Sequence, residues 1–165
     1  MQGNGEVALL ALDLDHFKRI NDQFGHSVGD AVLCDVATTL AGTVGDAGVV
    51  AWLGGEEFSV LLPSADAETA GAMAERMLAR LRAHQGVPQA NGATITMSVG
   101  IAAERVSSLS DSAALRARSD EALYVVKRCG RDRVNLWTPG VRFHRGIRRG
   151  HGSSANPFQS PVLWH

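Results

Sequence analysis

Lysine is almost absent from this chain, since only Lys18 and Lys127 interrupt an otherwise arginine-based set of 16 basic residues. Cysteine is equally scarce, and Cys34 and Cys129 lie in separate helical patterns without metal-ligand spacing. This usage indicates a reduced, cytosolic setting in which both thiols are packing or surface residues. No secretory signal pattern is present, and no apolar run approaches the ~20 residues of a membrane span.

Acidic residues are missing from one region. Residues 138–165 carry four arginines and no acid, so residues 1–137 hold 12 basic and 17 acidic side chains, a net charge of −5. A domain of that charge is a poor nucleic-acid binder, although metal ions could bridge it to an anionic nucleotide. Periodicity also stops after Trp137. We therefore predict one domain over residues 1–137 and a basic, flexible tail over 138–165.

Hydrophobic periodicity predicts the element order β-α-α-β-β-α-β-α-β, an α+β arrangement with helices on an antiparallel or mixed sheet. The first strand covers 7–12, and a helix runs from Asp15 as its cap to about Phe24. The other expected elements are a helix over 28–44, a hairpin over 48–63, a helix over 66–84, a strand over 93–102, a helix over 110–127 and a strand over 133–137.

The stretch Gly54-Gly55-Glu56-Glu57-Phe58 separates the two apolar runs of the hairpin. A Gly-Gly pair between strands predicts a tight turn, because such turns require positive φ. Two carboxylates follow at once. A loop without side chains next to paired acids lets a phosphate or ribose approach while a metal ion is held beside it.

A second acidic cluster begins at Asp13, at the carboxyl end of the first strand. If that strand neighbours the hairpin, Asp13 and Glu56 or Glu57 converge on a hard oxygen site that suits Mg²⁺. Two such ions would activate a 3′-hydroxyl and steady a leaving pyrophosphate. The start of the following helix offers free N–H groups to phosphates, and Lys18 adds charge there. As alternatives, these acids are a strand end and ordinary surface charges of a hairpin.

Three motifs in this order resemble the GGDEF domain of the diguanylate cyclases, in its GGEEF version. They are the run from Asp13 to Asp30, the Gly54–Phe58 signature, and Asp120-Glu121-Ala122-Leu123-Tyr124 with Lys127, Gly130 and Arg131. The resemblance covers about residues 7–137. It implies a nucleotidyl cyclase, palm-like fold, with a five-stranded, mainly antiparallel sheet surrounded by helices.

The family condenses two GTP molecules into cyclic di-GMP and two pyrophosphates, with one GTP on each subunit of a symmetric dimer. The resemblance implies two Mg²⁺ ions per site, with Mn²⁺ as an alternative, held by Asp13, the carbonyl of Leu14, Glu56 and Glu57. It implies catalytic roles for Asp13, Lys18 and Glu56, with Glu56 taking the proton of the 3′-hydroxyl. The implied substrate-binding residues are Phe17, Lys18, Asn21, His26, Asp30, Gly55, Lys127 and Arg131, among which Asn21 and Asp30 recognise guanine.

Three departures from the family pattern stand out. Residues 45–48 lack both charged residues of the Arg-x-x-Asp inhibitory motif, so we expect the usual product site to be missing and product to bind the active site instead. Trp52 replaces the usual arginine, which puts the anchoring of the hairpin in question. The opening helix with its Asp-x-Leu-Thr-Gly-Leu motif is absent, so we expect a catalytic domain detached from an upstream sensor.

The leading hypothesis is a Mg²⁺-dependent diguanylate cyclase of the bacterial cytoplasm that forms a transient homodimer. Its partners are GTP and cyclic di-GMP, without nucleic acid or membrane contact, although the parent protein could be membrane-anchored. The alternatives are a weak or silent module that binds GTP or cyclic di-GMP, and a pure dimerisation domain. A dimerisation domain would not need both acidic clusters.

Overall fold

A computed structural model describes residues 5–83, 90 and 93–140. The predicted tail beyond 140 lies outside the described residues, so its predicted flexibility stays a prediction. Within the described ranges the predicted element order is confirmed. The elements are β1 (Glu6–Leu14), α1 (Phe17–Phe24), α2 (His26–Val44), a 3-10 turn (Gly45–Ala47), β2 (Val49–Gly54), β3 (Glu57–Leu62), α3 (Ala67–Ala83), β4 (Met97–Arg105), α4 (Leu109–Arg128) and β5 (Val134–Leu136).

The five strands form one sheet in the order β2-β3-β1-β4-β5. All neighbours are antiparallel except β4 and β5, which are parallel. The expected five-stranded, mainly antiparallel sheet is therefore confirmed. β1 lies in the centre of the sheet and is largely buried, and its Asp13 lies between Glu57 of β3 and Ser98 of β4.

The two faces of the sheet have different covers. Alternate residues of a strand point to opposite faces, and the even-numbered residues of β1 from Ala8 to Leu14 are buried with apolar residues of α2 and α3 in the main core. The other face packs on α4. A Cβ at Gly100 would lie 2.1 Å from the Leu123 nitrogen and 2.3 Å from the Ser119 carbonyl oxygen. The backbone of α4 therefore touches β4 directly.

The segment His26–Ala47 is long and apolar enough to cross a membrane by length and composition alone. The sequence expectation that no such segment exists was therefore too strict. The buried core helix of a globular domain passes the same test, and 39% of this window is buried. Val32, Val36 and Leu40 are fully buried against the sheet and α3. We therefore interpret α2 as a core helix.

Two details of the predicted boundaries were wrong. The strand predicted over 93–102 begins at Met97 and continues to Arg105. The hairpin turn consists of Gly55 and Glu56 rather than the Gly-Gly pair. A register shift between Trp52 and Gly54 moves the turn forward by one residue, and Gly54 and Gly55 both have positive φ, 120° and 55°. Both glycines are still required, because β-branched and bulky residues rarely take that conformation.

Candidate active site

Asp13 and Lys127 form the centre of the candidate site. Asp13 is 5% exposed, and Lys127 near the end of α4 donates to its Oδ2 at 2.6 Å. The lysine reaches it because Asp13 points to the sheet face that α4 covers. Burial raises the pKa of Asp13, and the Glu57 and Asp15 charges raise it further, while Lys127 opposes them.

The hairpin brings two further carboxylates to this end of β1. Leu14 N–H donates to the Glu56 carbonyl at 3.1 Å, and Glu57 is the cross-strand neighbour of Asp13. Burial raises the pKa of Glu56, and the charges of Asp13 and Glu57 add to this effect. The predicted pairing of β1 with the hairpin thus brings the backbone positions of Glu56 and Glu57 next to the end of β1.

These carboxylates fit a divalent cation. Burial and neighbouring negative charges both disfavour the ionised forms of Asp13 and Glu56, a nearby cation would favour those forms, and hard oxygen ligands suit Mg²⁺. Among the described residues, however, no group of three or more acidic, histidine or cysteine side chains is already arranged around one point. In this structure the positive charge next to the Asp13 carboxylate is the ammonium group of Lys127.

The predicted guanine-binding residues lie on α1 and α2. Asn21 is half-buried, and its Oδ1 is the one buried side-chain polar atom without a partner in the described part of the chain. This atom lies against Gly29, where a Cβ would come within 1.8 Å of it. Asp30 and His26 are exposed on the first turns of α2. Asn21 Oδ1 is therefore a buried acceptor to which the described residues supply no hydrogen bond.

Other predicted substrate residues differ in exposure. Lys18 is exposed on the first turn of α1, whereas Phe17 is buried in the core. The Phe17 side chain is therefore out of reach of a nucleotide, which leaves its backbone N–H at the helix start. Gly55 is exposed in the turn. Arg131 is half-buried in the turn after α4 and has φ 64°.

Asp15 was predicted to cap α1, and this prediction was wrong. The residue that precedes α1 is His16, with φ 58° and no side-chain cap bond. Asp15 is instead 6% exposed and accepts hydrogen bonds from Ser98 Oγ at 2.6 Å, Thr96 Oγ1 at 2.8 Å and the Asp132 N–H at 3.0 Å. The sequence did contain a signal for this buried role. Asp15 lies two residues after Asp13, so its side chain continues on the same face of the strand.

Trp52 anchors the hairpin turn through its indole group. Its side chain is 61% exposed, yet the indole Nε1 donates to the Gly55 carbonyl at 3.1 Å. The tryptophan thus braces the turn that carries Glu56 by a single contact. In the family pattern an arginine stands here, so this bond comes from the substitution itself.

The comparisons with known proteins agree with this geometry. The sequence model described as "Diguanylate cyclase, GGDEF domain" matches residues 1–133. The chain belongs to the GGDEF family. This GGDEF domain is 42% identical over 132 residues to the diguanylate cyclase DgcP of Pseudomonas aeruginosa, covering 80% of the chain and 19% of DgcP. It is 37% identical over 131 residues to DosC of Escherichia coli K12, covering 79% of the chain and 28% of DosC.

Solved GGDEF structures share the fold. The active GGEEF domain of a diguanylate cyclase from Vibrio cholerae matches with a TM-score of 0.73 and 35% identity, covering 81% of this chain and 83% of that one. The DgcB domain from Caulobacter crescentus, solved in complex with c-di-GMP, matches with a TM-score of 0.73 and 31% identity, covering 82% and 80%. The present domain spans about a fifth to a third of the curated relatives that it matches.

Proposed function

We propose that this domain is a diguanylate cyclase, which joins two GTP molecules into cyclic di-GMP with release of two pyrophosphates. The observation that carries the proposal is the cluster at the end of β1. There Lys127 contacts the buried Asp13, Glu57 pairs with Asp13 across the strands, and the Leu14 N–H donates to the carbonyl of Glu56. Membership of the GGDEF family supports the same activity.

Divalent ions complete the proposed site. Asp13, Glu56, Glu57 and the carbonyl of Leu14 would hold two Mg²⁺ ions, or Mn²⁺ in their place. Bound there, the ions would acidify the 3′-hydroxyl and neutralise charge on the phosphates. Glu56 would accept the proton of the 3′-hydroxyl as general base.

The guanine would lie between α1 and α2. The unpartnered Asn21 Oδ1 can accept from the base, or its amide can donate once the group is flipped, and Asp30 can accept from N1–H and the 2-amino group. Lys18, Lys127 and Arg131 would contact the phosphates. Lys127 would then exchange its contact with Asp13 for the triphosphate as metal ions arrive at the carboxylate.

A turnover assay tests the proposal. The full chain is incubated with GTP and Mg²⁺, and cyclic di-GMP is measured at several protein concentrations. Glu56→Gln should abolish product formation, whereas Glu75→Gln, an exposed charge on α3, should leave it unchanged. A wild-type chain that binds GTP without producing cyclic di-GMP would favour the binding-module alternative, and one that binds neither nucleotide would favour a dimerisation domain.

Two subunits must meet for turnover, because each supplies one GTP. We expect a largely monomeric domain whose rate per milligram rises with protein concentration. A strictly linear dependence of rate on concentration would contradict the transient dimer. A cytoplasmic location and an upstream sensor domain belong to the same proposal, since GTP is a cytoplasmic substrate and the relatives are longer proteins.

Product inhibition is proposed to act at the active site itself. Residues 45–48, which form the 3-10 turn and Gly48, offer Asp46 but no arginine. Product would therefore compete with GTP for Asn21 and Asp30. In calorimetry, Asp30→Ala should abolish binding of cyclic di-GMP, and unchanged affinity would refute this placement.

A further inference from the structure

The turn after α4 holds an unusual backbone conformation. Arg131 and Asp132 are consecutive non-glycine residues with positive φ, 64° and 47°. Such residues are strained and persist only where surrounding contacts impose them. Strain of this kind concentrates at functional sites, and this turn contains the arginine assigned above to the GTP phosphates.

Contacts from two sides impose the conformation. From the solvent side, Arg82 of α3 donates to Asp132 Oδ1 at 3.0 Å and to the Asp132 carbonyl at 2.9 Å. From the interior, the Asp132 N–H donates to Asp15 Oδ2 at 3.0 Å. The Arg131 N–H donates to the Val126 carbonyl at 3.0 Å, which ties the turn to α4.

Asp15 is the buried one of these anchors. Three donors from two separate segments converge on its carboxylate, one on Oδ1 and two on Oδ2. Hydrogen bonds to a charged acceptor are about twice as strong as neutral ones. A buried carboxylate that accepts three hydrogen bonds fixes its donors in place. The donor from the turn is the backbone N–H of Asp132, which cannot rotate away as a hydroxyl group can.

The Arg131 side chain is available to a ligand in the position that this turn gives it. In the stretches that the structure describes, its guanidinium makes no hydrogen bond or ion pair, although the residue is half-buried. A guanidinium without a protein partner beside Lys127 is available to a phosphate. Lys127 lies four residues before Arg131, so the turn sets how the two cations are spaced.

We propose that Asp15 is a positioning residue for the reaction: by holding the Asp132 N–H it sets the turn that presents Arg131 to the triphosphate of GTP. This inference rests on the proposed function, because it assigns Arg131 to a substrate phosphate. Asp15 itself touches neither substrate nor metal. Its effect reaches GTP through the backbone of residues 131 and 132.

A double-mutant cycle between Asp15 and Arg131 tests this coupling. Asp15→Ala should raise the KM for GTP about tenfold and leave kcat within about threefold, as expected for one lost phosphate contact. Arg131→Ala should have a similar effect. The double variant should resemble either single one, because residues that act through one contact are not additive. Additive effects on KM would overturn the proposal.

Ser98→Ala is the matched control. It removes a 2.6 Å bond from the same carboxylate but leaves the link to Asp132 in place. We expect a lower unfolding temperature with unchanged KM. A KM increase equal to that of Asp15→Ala would mean that Asp15 only supports the fold, and would refute the positioning role.

Asp15→Asn keeps the experiment decisive if Asp15→Ala does not fold. The amide oxygen can still accept from the Asp132 N–H and from Thr96, and the Ser98 hydroxyl can rotate to accept from the amide nitrogen. We expect a KM increase of about threefold that disappears in the Arg131→Ala background. An increase that persists in that background would refute the coupling.

Calorimetry separates this proposal from the proposed function. GTP is titrated with Ca²⁺ as the metal, and guanosine, which has no phosphates, is titrated in parallel. Asp15→Ala should weaken GTP binding about tenfold and leave guanosine binding unchanged. Equal weakening of both ligands would overturn the positioning role, even if the wild-type chain makes cyclic di-GMP. Absence of that product would instead contradict the proposed function.

Discussion

The end of β1 and the β2–β3 hairpin form two sides of the candidate site, and they are built differently. At the end of β1, Asp13 and Asp15 are buried and accept hydrogen bonds from Lys127, Ser98, Thr96 and the Asp132 backbone. In the hairpin, Glu57 and Trp52 are exposed, and one indole bond braces the turn. At the end of β1, hydrogen bonds hold the charged side chains in place against their mutual repulsion. In the hairpin, the carboxylates can adjust their positions to a ligand.

This difference predicts where substitutions act. At the buried side a single change removes several contacts or leaves a charge without compensation, so function responds strongly. At the exposed hairpin, water replaces most lost contacts, so only the carboxylates themselves are critical. The four predictions below test this contrast in order of decreasing effect.

Asp13→Asn should have the largest effect. We expect kcat for cyclic di-GMP formation to fall by more than ~100-fold, because a carboxylate central to metal binding and to the Lys127 contact is lost. Stability should not fall in parallel, since burial disfavours the ionised form of Asp13. We expect the unfolding midpoint to stay within about 4 °C of wild type. Activity within tenfold of wild type would contradict the assignment.

Gly29→Ala should come next, by obstructing Asn21. The new Cβ would lie 1.8 Å from Asn21 Oδ1, and Phe17 behind it is buried. We expect a loss of about 1–3 kcal/mol in the free energy of unfolding and a higher KM for GTP. Gly42→Ala on the same helix meets nothing within 4 Å and should stabilise by about 0.5–1 kcal/mol. Urea unfolding measures both, and equal effects would contradict the close packing.

The pH dependence of stability should be smaller and set by one carboxylate on each side, Asp13 at the end of β1 and Glu56 in the hairpin. The pKa values of Asp13 and Glu56 are raised above their ordinary values of 3.8 and 4.5. The folded state therefore binds more protons than the unfolded state as pH rises past those values. Stability should fall with rising pH in that range, by at most about 1.4 kcal/mol per pH unit for each proton.

Urea unfolding without divalent ions at a series of pH values measures this slope. Asp13→Asn should flatten it, because one of the two groups no longer titrates. Added Mg²⁺ should also flatten it, since a cation favours the ionised carboxylates. A stability that rises with pH in this range, or a slope that is unchanged in Asp13→Asn, would contradict the raised pKa values of these carboxylates.

Trp52→Phe should have the smallest effect. It removes the indole N–H that donates to Gly55 but retains an aromatic ring. We expect a loss of about 0.5–1 kcal/mol in stability and a change of at most about threefold in kcat, as is usual for one exposed hydrogen bond. A loss of activity as large as that of Asp13→Asn would show that the hairpin is as constrained as the end of β1.

Much of the fold follows from local patterns in the sequence. The order and type of all nine main elements were predicted, because each long apolar face has a clear period of two or 3.6 residues. Boundaries failed where tertiary contacts decide them. The hairpin turn moved by one residue because a register shift near Leu53 uses Gly54 within the strand.

The site was predictable only in part, for the same reason. The convergence of Asp13 with the hairpin acids followed from expecting β1 beside β3. The Lys127 contact with Asp13 joins residues 114 positions apart, and no local rule indicates it. Asp15 was misread because an acid before a helix usually caps that helix. Its true partners, Thr96 and Ser98, lie more than 80 residues away.

Gly100 has a consequence for how this domain can change over generations. Residues 119, 123 and 127 share one face of α4, and that face rests directly on Gly100, so main-chain contact alone sets the height of Lys127 above the sheet. An exposed residue on the outward face of the helix, such as Arg128, can therefore be replaced without moving the lysine. Substitutions on the outward face of α4 can therefore adapt it to new regulators while Lys127 stays in place beneath that face.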